Sequence, residues 1–236
     1  MDNQNPILLH IETATEICSV ALSEGDKVIA LCETDDGNSH SKNLLPFIDT
    51  TMQKAGRQLQ DVNGVVVSIG PGSYTGLRIG VSTAKSIAYA LEIPVITVNT
   101  LESIAWGAYN DNQLQEEEFS VVPMIDARRM EVFTTRFDKS MNRVEDISAL
   151  IVEDGAFADV LATQKVIFCG NGMPKCKDLL SRYDNACFND TKISAKDMLP
   201  VALKKWLSKD FADVAYFEPF YLKEYVAAKP NVKGLR

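Results

Sequence analysis

Apolar and polar positions at the start of the chain predict three strands. A nearly continuous apolar run covers residues 7–11, as in a strand that is buried on both faces. A hairpin is predicted over residues 17–33, where two runs rich in strand-forming residues flank a Glu-Gly-Asp turn at 24–26. A three-residue loop in this hairpin would place Cys18 opposite Cys32, and we expect both thiols to be reduced.

The next part of the chain alternates between helical and strand-like patterns. Apolar residues at helical spacing predict helices over Ser41–Ala55 and Leu77–Leu91, and short apolar runs predict strands at 65–69 and 94–98. A third helix is expected to follow, with Thr100 as its cap. Three antiparallel strands followed by alternating helices and strands are typical of a ribonuclease H-like lobe.

The pattern starts again after an acidic stretch at 111–118, which we interpret as a linker. A strand there ends on Asp126, as the first strand ends on Glu12, so the two halves form a weak repeat about 114 residues apart. The second copy looks abbreviated. Two stacked lobes of this kind make the actin-like ATPase fold, an α/β fold with mixed sheets and flanking helices. We therefore expect one lobe over residues 1–110 and a second lobe with a tail over 111–236.

The composition is that of a globular chain in a reducing compartment. Of the 236 residues, 46% are hydrophobic and 24% are charged, which argues against disorder. The net charge of −8 argues against autonomous binding of nucleic acid, because phosphate contacts need clustered Lys and Arg. The five cysteines are irregularly spaced, and we see neither a secretory signal nor an apolar run of the roughly 20 residues of a membrane span. We expect a cytoplasmic protein that does not contact a membrane.

A glycine-rich loop between a predicted strand and a predicted helix is the first candidate site. Its residues Gly70, Gly72, Ser73 and Gly76 could bind phosphate at the helix N-terminus, or could form a tight turn that lets backbone segments pack closely. The loop lacks the lysine that closes a P-loop, and Pro71 removes an amide. We favour the tight turn on this pattern.

Two acids and two histidines are the other candidates. Glu12 and Asp126 end equivalent strands, where they could hold Mg²⁺, orient water or cap turns. His10 lies inside an apolar strand, as a core imidazole would, and His40 lies in a polar loop before a helix. Their surroundings in the sequence match no zinc spacing, and no Gly-x-Ser-x-Gly sequence indicates a serine hydrolase.

The two long helices of the first half carry apolar residues on more than one face. Large residues on the first helix, such as Leu45, could interdigitate with small residues on the second, such as Gly80. Alternatively, both helices could simply pack onto the sheet. An apolar face that is left over after folding would mark a protein interface.

Motifs spread over nearly the whole chain carry a family resemblance. They are Ile11-Glu12-Thr13, His40-Ser41 leading to Leu44-Leu45-Pro46, Gly70-Pro71-Gly72-Ser73-Tyr74-Thr75-Gly76-Leu77-Arg78-Ile79-Gly80, Ile125-Asp126-Ala127-Arg128 and Pro219-Phe220-Tyr221-Leu222. Together they resemble the TsaB family of bacterial tRNA threonylcarbamoyladenosine biosynthesis proteins, formerly called YeaZ or glycoprotease-like. The glycine segment that runs into Arg78 is the most specific of them. Glu12 stands where several members of the family have Asp.

The resemblance implies an actin-like fold and a role in installing threonylcarbamoyl on the adenosine beside the anticodon of tRNAs. It implies a non-catalytic partner of TsaD, a paralogous transferase that carries a metal-binding histidine pair, with the small ATPase TsaE joining the complex. This chain would then have no catalytic residue and no tightly bound cofactor, because ATP and metal would be bound by its partners. It would reach tRNA only through the complex.

The resemblance also implies that the N-terminal lobe pairs with TsaD, and with a second copy of the chain as a homodimer, through its two long helices. The interface residues that this places on the present sequence are Leu44, Leu45, Ile48, Met52, Arg78, Gly80, Val81 and Ala84.

Other functions stay open at the level of sequence. The chain could act on its own, as an ATPase that uses Glu12, Asp126 and the glycine loop, or as a protease. It could also bind tRNA through a basic tail. The basic residues of that tail are Lys223, Lys229, Lys233 and Arg236. We favour the partner role, and on this basis we expect Ile48→Asp to abolish pairing with little loss of the monomer fold.

Overall fold

The first five strands form one mixed sheet. The computed structural model describes residues 5–34, 40–111 and 118–223. The strands are β1 (Ile7–Glu12), β2 (Cys18–Glu24), β3 (Lys27–Thr34), β4 (Gly64–Ser68) and β5 (Val95–Val98). They lie in the order β3-β2-β1-β4-β5, with β1 antiparallel to β2 and parallel to β4. This order is that of a ribonuclease H-like lobe, as predicted.

The β2–β3 hairpin differs from the prediction in its register. The chain turns over two residues, and a β-bulge then interrupts the pairing. Cys32 therefore lies opposite Val20, and Cys18 lies opposite Thr34. The expected pairing of Cys18 with Cys32 is wrong, because the sequence indicates a turn but shows neither its length nor the bulge. None of the five cysteines is joined to another by a disulfide.

Two long helices cover one face of the first sheet. They are α1 (His40–Ala55) and α2 (Tyr74–Leu91), and α3 (Thr100–Asn110) follows β5. Ser73 caps α2 by accepting a backbone hydrogen bond on its hydroxyl oxygen, and Asn99 caps α3, one residue before the predicted cap. The glycine-rich loop thus leads directly into a capped helix.

The second sheet repeats the strand order of the first. Its strands are β6 (Phe119–Asp126), β7 (Glu131–Thr134), β8 (Phe137–Asp138), β9 (Ser148–Ile151), β10 (Lys165–Cys169) and β11 (Ala186–Asn189). They lie in the order β11-β10-β6-β7-β9, and β8 also pairs with β6. The central strand β6 is antiparallel to β7 and parallel to β10, as β1 is to β2 and β4. The predicted repeat and the two-lobed α/β fold are confirmed.

The helices of the second lobe are shorter than those of the first. The two that correspond to α1 and α2 are α4 (Ala158–Leu161), with 4 residues, and α5 (Met173–Leu180), with 8 residues. Their counterparts α1 and α2 have 16 and 18 residues. The second copy is therefore abbreviated, as predicted, and α1 and α2 give the first lobe a long helical surface.

Each sheet packs against a helical segment from the other half of the chain. On the second sheet, Ile104 of α3 shares a core with Val121 of β6. Residues 195–208, which form a short 3₁₀ helix and then α6 (Leu199–Ser208), pack under the first sheet instead. The strand residues in that core are Leu8, Ala21, Val66, Ile96 and Val98. The domain boundary predicted after residue 110 therefore lies between the two sheets. The core of each sheet, however, includes a helical segment from the other side of that boundary.

Some predicted segments lie outside the described residues. They are the central part of the acidic linker (112–117), the polar loop at 35–39 and the part of the basic tail that holds Lys229, Lys233 and Arg236. Within the described part of the chain, none of the helices has both the length and the apolar character that crossing a bilayer requires.

Candidate functional site

The glycine-rich loop packs directly on the turn between β1 and β2. The Ser73 N–H donates to the Ala14 carbonyl at 2.6 Å, and the Thr13 hydroxyl donates to the Gly76 carbonyl at 2.8 Å. A Cβ atom on Gly76 would lie 2.0 Å from the Thr13 carbonyl oxygen, and one on Gly72 would lie 2.3 Å from that of Ala14. Both positions therefore need glycine. The structure shows the favoured interpretation, a tight turn that lets backbone segments pack closely.

Gly70 is hydrogen-bonded to the start of α3. Its N–H donates to the Thr100 hydroxyl at 3.1 Å, and its carbonyl accepts from the Thr100 N–H at 3.0 Å. Beside it, the Phe220 N–H of the C-terminal segment donates to the Ile69 carbonyl at 2.6 Å. Gly70 thus joins the start of α3 to the loop, and its amide is not available to a ligand.

Glu12 is fully buried at the end of β1. Its Oε1 accepts the Ala14 N–H at 2.6 Å, while Oε2 makes no hydrogen bond of good geometry, although Ser68 lies beside the carboxyl group. Burial raises the pKa of Glu12 to about 7, because it penalises the charged form by more than the hydrogen bonds favour it. The carboxyl group is closed off from solvent and organises the β1–β2 turn.

Asp126, the equivalent acid of the second sheet, is exposed but already paired. Lys175 Nζ on α5 donates to Asp126 Oδ1 at 2.6 Å, and the Arg128 N–H donates to the same oxygen at 2.7 Å. Partial burial by itself would raise the pKa of Asp126, but the hydrogen bonds from Lys175 and Arg128 outweigh it and lower that pKa. Glu12 is enclosed, so the two acids do not form the Mg²⁺ site considered from the sequence. Among the described residues, no group of three or more His, Cys, Asp or Glu side chains is placed to hold a metal ion.

A cavity of about 760 Å³ lies between the lobes in front of the glycine loop. The candidate residues that line it are Gly72, Ser73, Gly76 and Asp126. Glu12 and Gly70 do not reach it. The volume would admit a nucleotide. The Ser73 amide and the Asp126 carboxylate are engaged by the chain itself, however, so the residues present do not fit a complex of Mg²⁺ and ATP.

The Asn171 side chain bridges the two lobes across this cleft. In the loop between β10 and α5, Asn171 Nδ2 donates to Glu16 Oε2 of the first lobe at 2.7 Å. Its Oδ1 accepts the Asp126 N–H at 3.0 Å. Asn171 and Glu16 line both the cleft and a second cavity of about 280 Å³, so they form a wall between the two. Sequence analysis missed Asn171, Glu16 and Lys175, because a polar residue in one segment does not reveal its partner in a distant segment.

Both histidines have structural partners. His10 is fully buried with Nε2 2.9 Å from the Ser23 hydroxyl, and burial lowers its pKa to about 3. His40 begins α1, and its Nε2 donates to the Thr15 carbonyl at 2.8 Å. The interpretation of His10 as a core imidazole is confirmed.

Most of the predicted interface residues lie inside the first lobe. Those that are at most 5% exposed and pack in the core of the first sheet are Leu44, Ile48, Met52, Val81 and Ala84. Gly80 is also buried. The expectation that Ile48→Asp would spare the monomer fold is therefore wrong, because the new carboxylate would lie in the core. Helical spacing reveals an apolar stripe but does not show which side of it faces the sheet.

Leu45 and Arg78 are the predicted interface residues that lie on the surface. Leu45 is 62% exposed, and together with Arg78 and Ile79 it lines a groove of about 480 Å³ between α1 and α2. The Arg78 guanidinium lies 5.3 Å from the centroid of the Tyr74 ring and donates to its hydroxyl at 3.1 Å. The Tyr74 ring contacts that of Tyr221, with 5.0 Å between centroids. An exposed leucine beside an arginine held by an aromatic side chain suits contact with a protein partner.

Two lobes with the same strand order, facing each other across a cleft, define an actin-like α/β protein built from two ribonuclease H-like lobes. Comparisons with known proteins identify the family within this class. Residues 35–229 match the family model described as "TsaD: tRNA N6-adenosine threonylcarbamoyltransferase".

Individual relatives and solved structures point the same way. The tRNA threonylcarbamoyladenosine biosynthesis protein TsaB of Escherichia coli K12 is 31% identical over 94% of this chain and 96% of its own length. The TsaB protein of Haemophilus influenzae is 29% identical over 96% of this chain and 97% of its own length. The structure of YeaZ from Pseudomonas aeruginosa, 27% identical, matches with a TM-score of 0.77 over 92% of this chain and 100% of that one. The chain belongs to the TsaB (YeaZ) family, as its motifs indicated.

Proposed function

We propose that this chain is a non-catalytic partner of TsaD in the modification of tRNA with threonylcarbamoyladenosine. The observation that carries the proposal is the packing of the glycine loop on the Thr13–Ala14 turn, where backbone atoms of the chain take up the groups that could have bound phosphate. The engaged state of Asp126 and the enclosure of Glu12 support it. The pathway is supported by the family model and by the names of the TsaB relatives.

The groove between α1 and α2 is the surface that we assign to pairing. It is open to solvent, it is flanked by the exposed Leu45, and Arg78 is already held in place at its side. The same groove would accept TsaD or a second copy of this chain, so the homodimer and the heterodimer would compete. TsaE would join the assembled pair in the cytoplasm, and ATP, metal and tRNA would be bound by the complex.

Leu45→Asp tests this assignment. Because Leu45 is 62% exposed, the substitution should leave the monomer folded. A charge beside the groove should weaken pairing with TsaD at least about tenfold, or about 1.4 kcal/mol. Leu207→Asp is the matched control, since Leu207 is 69% exposed on α6, away from the groove. Co-elution with TsaD on gel filtration that is equal for wild type and Leu45→Asp would refute the assignment.

Calorimetry with Mg²⁺ and ATP on the isolated chain tests the alternative that it is an enzyme in its own right. We expect no saturable heat, because the loop amide and the carboxylates are engaged or enclosed. Micromolar binding that is lost in Glu12→Ala would favour an ATPase and count against the partner role.

A further inference from the structure

The hairpin that joins β6 to β7 carries two adjacent arginines in an unusual conformation. Arg128 has a φ of 73° and Arg129 a φ of 49°, so both adopt left-handed backbone geometry that residues with a Cβ atom rarely take. Both side chains are exposed, and Arg128 lines the cleft between the lobes. Strained backbone of this kind is often found where a chain recognises a ligand.

The surrounding structure holds this turn firmly. The Arg128 N–H donates to Asp126 Oδ1 at 2.7 Å, and the Glu131 N–H donates to the Arg128 carbonyl at 3.1 Å. Lys175 Nζ binds Asp126 and also the Glu131 carbonyl, each at 2.6 Å. The next residue, Met130, packs against the core of the second lobe. The two guanidinium groups therefore start from a fixed backbone and not from a loose loop.

Among the described residues, no acid of the hairpin is left over to compensate the two arginines. Its acids are already paired, Asp126 with Lys175 and Glu131 with Lys223. Among the described residues, neither Arg128 nor Arg129 makes an ion pair or a side-chain hydrogen bond. Within the described part of the chain, a carboxylate pairs with each of Arg57, Arg136 and Arg182. The hairpin tip is thus a small cationic spot on a chain with a net charge of −8.

The chemistry of this spot suits phosphate. A guanidinium binds phosphate through two parallel hydrogen bonds, and two neighbouring guanidinium groups can contact successive phosphates of a nucleic acid backbone. The tip has little apolar surface for a protein partner to bury, since Met130 packs inward and Ala127 is small. The overall negative charge would still prevent binding of nucleic acid by the isolated chain.

We infer that Arg128 and Arg129 contact the phosphate backbone of tRNA when this chain is assembled with TsaD. The inference rests on the proposed function. It adds a direct contact with tRNA, made by the second lobe, to a chain whose proposed partner surface lies on the first lobe. The contact positions tRNA without reading its sequence, because phosphates are the same at every nucleotide.

The salt dependence of tRNA binding by the complex with TsaD tests this inference. The variant is Arg128→Gly combined with Arg129→Gly, which removes both guanidinium groups and fits the left-handed backbone, so the hairpin should stay folded. With an unmodified tRNA transcript as probe, loss of two phosphate contacts should lower the slope of log K against log salt by about 1.4 to 1.8. The affinity advantage of wild type should therefore shrink roughly tenfold between 50 and 200 mM salt.

Two further variants make the test specific. Arg182→Ala removes an arginine of the same lobe that is paired with Asp154 at 2.5 Å, and it should leave the slope unchanged. Replacing Arg128 and Arg129 with lysine keeps both charges and should preserve the slope.

An unchanged slope for the double glycine variant in an assembled complex would overturn the inference alone. An equally large decrease of the slope in Arg182→Ala would also overturn the inference. A double glycine variant that weakens assembly with TsaD, with no change in slope, would show that the arginines contact protein and would also overturn it. Failure of the wild-type chain to assemble with TsaD would refute the proposed function, and this inference with it.

Discussion

The buried carboxyl group of Glu12 should make the protein less stable as the pH rises. Burial raises the pKa of this group from 4.5 to about 7. Below 4.5 both the folded and the unfolded chain keep the proton, and Glu12 costs nothing. Between the two pKa values the unfolded chain gives up the proton while the folded chain keeps it, so the unfolded state gains stability. Above about 7 the cost is complete, and the difference in pKa corresponds to about 3 kcal/mol.

Glu12→Gln removes this titration and keeps the oxygen that accepts the Ala14 N–H. We expect the variant to be more stable than wild type by about 3 kcal/mol at pH 8, and to differ little from it at pH 4.5. Urea unfolding across this pH range measures both free energies. The difference between the two proteins isolates Glu12, because Asp197, with a pKa raised to about 7 by burial, and His10, with a pKa lowered to about 3, titrate in both.

The reasoning fails if the difference in stability does not change with pH, or if Glu12→Gln is the less stable protein at pH 8. Mg²⁺ provides a second check. A metal that stabilised wild type but not Glu12→Gln would show that the carboxylate is a ligand after all, and that the turn around it opens.

Two other substitutions test how the lobes are built. Ile48→Asp should lower the free energy of unfolding by more than about 3 kcal/mol, since Ile48 is 4% exposed, whereas Leu45→Asp on the same helix should change it by less than about 0.5 kcal/mol. Thermal denaturation compares the two, and equal losses would contradict the orientation of α1. Asn171→Asp should set a second carboxylate against Glu16 and speed hydrogen exchange in the turns on both sides of the cleft, more than Asn171→Ala does. Equal exchange in wild type and Asn171→Asp would show that the bridge does not hold the lobes together.

The strand order and the duplication could be predicted from the sequence because they depend on local patterns. Apolar runs mark buried strands, and the acid at the end of β1 recurs at the end of β6. The register of the β2–β3 hairpin could not be predicted, since the bulge leaves no pattern of its own. The orientation of α1 could not either. Leu44 and Leu45 are neighbours in sequence, yet one is 1% exposed and the other 62%.

The sequence indicates the residues of the candidate site, but it does not show which other residues they contact. Glycines between a strand and a helix predict close backbone packing without naming the partner, which is the Thr13–Ala14 turn. The acid Asp126 was found as a strand end, while the lysine that neutralises it comes from another element, 49 residues away. Such pairings depend on how the elements are arranged in space, which one sequence does not show.

The exchange of helices between the cores has a consequence for synthesis of the protein. The strands of the first sheet are complete by residue 98, but the segment that covers their lower face begins at residue 195. About 100 residues must be added in between, which takes a ribosome roughly 5 to 20 s. During that interval Leu8, Val66 and Ile96 lack the cover of this segment, and a chaperone that binds apolar sheet surface would find a target there. The first sheet of the nascent chain can therefore complete its core only after most of the second half has been synthesised.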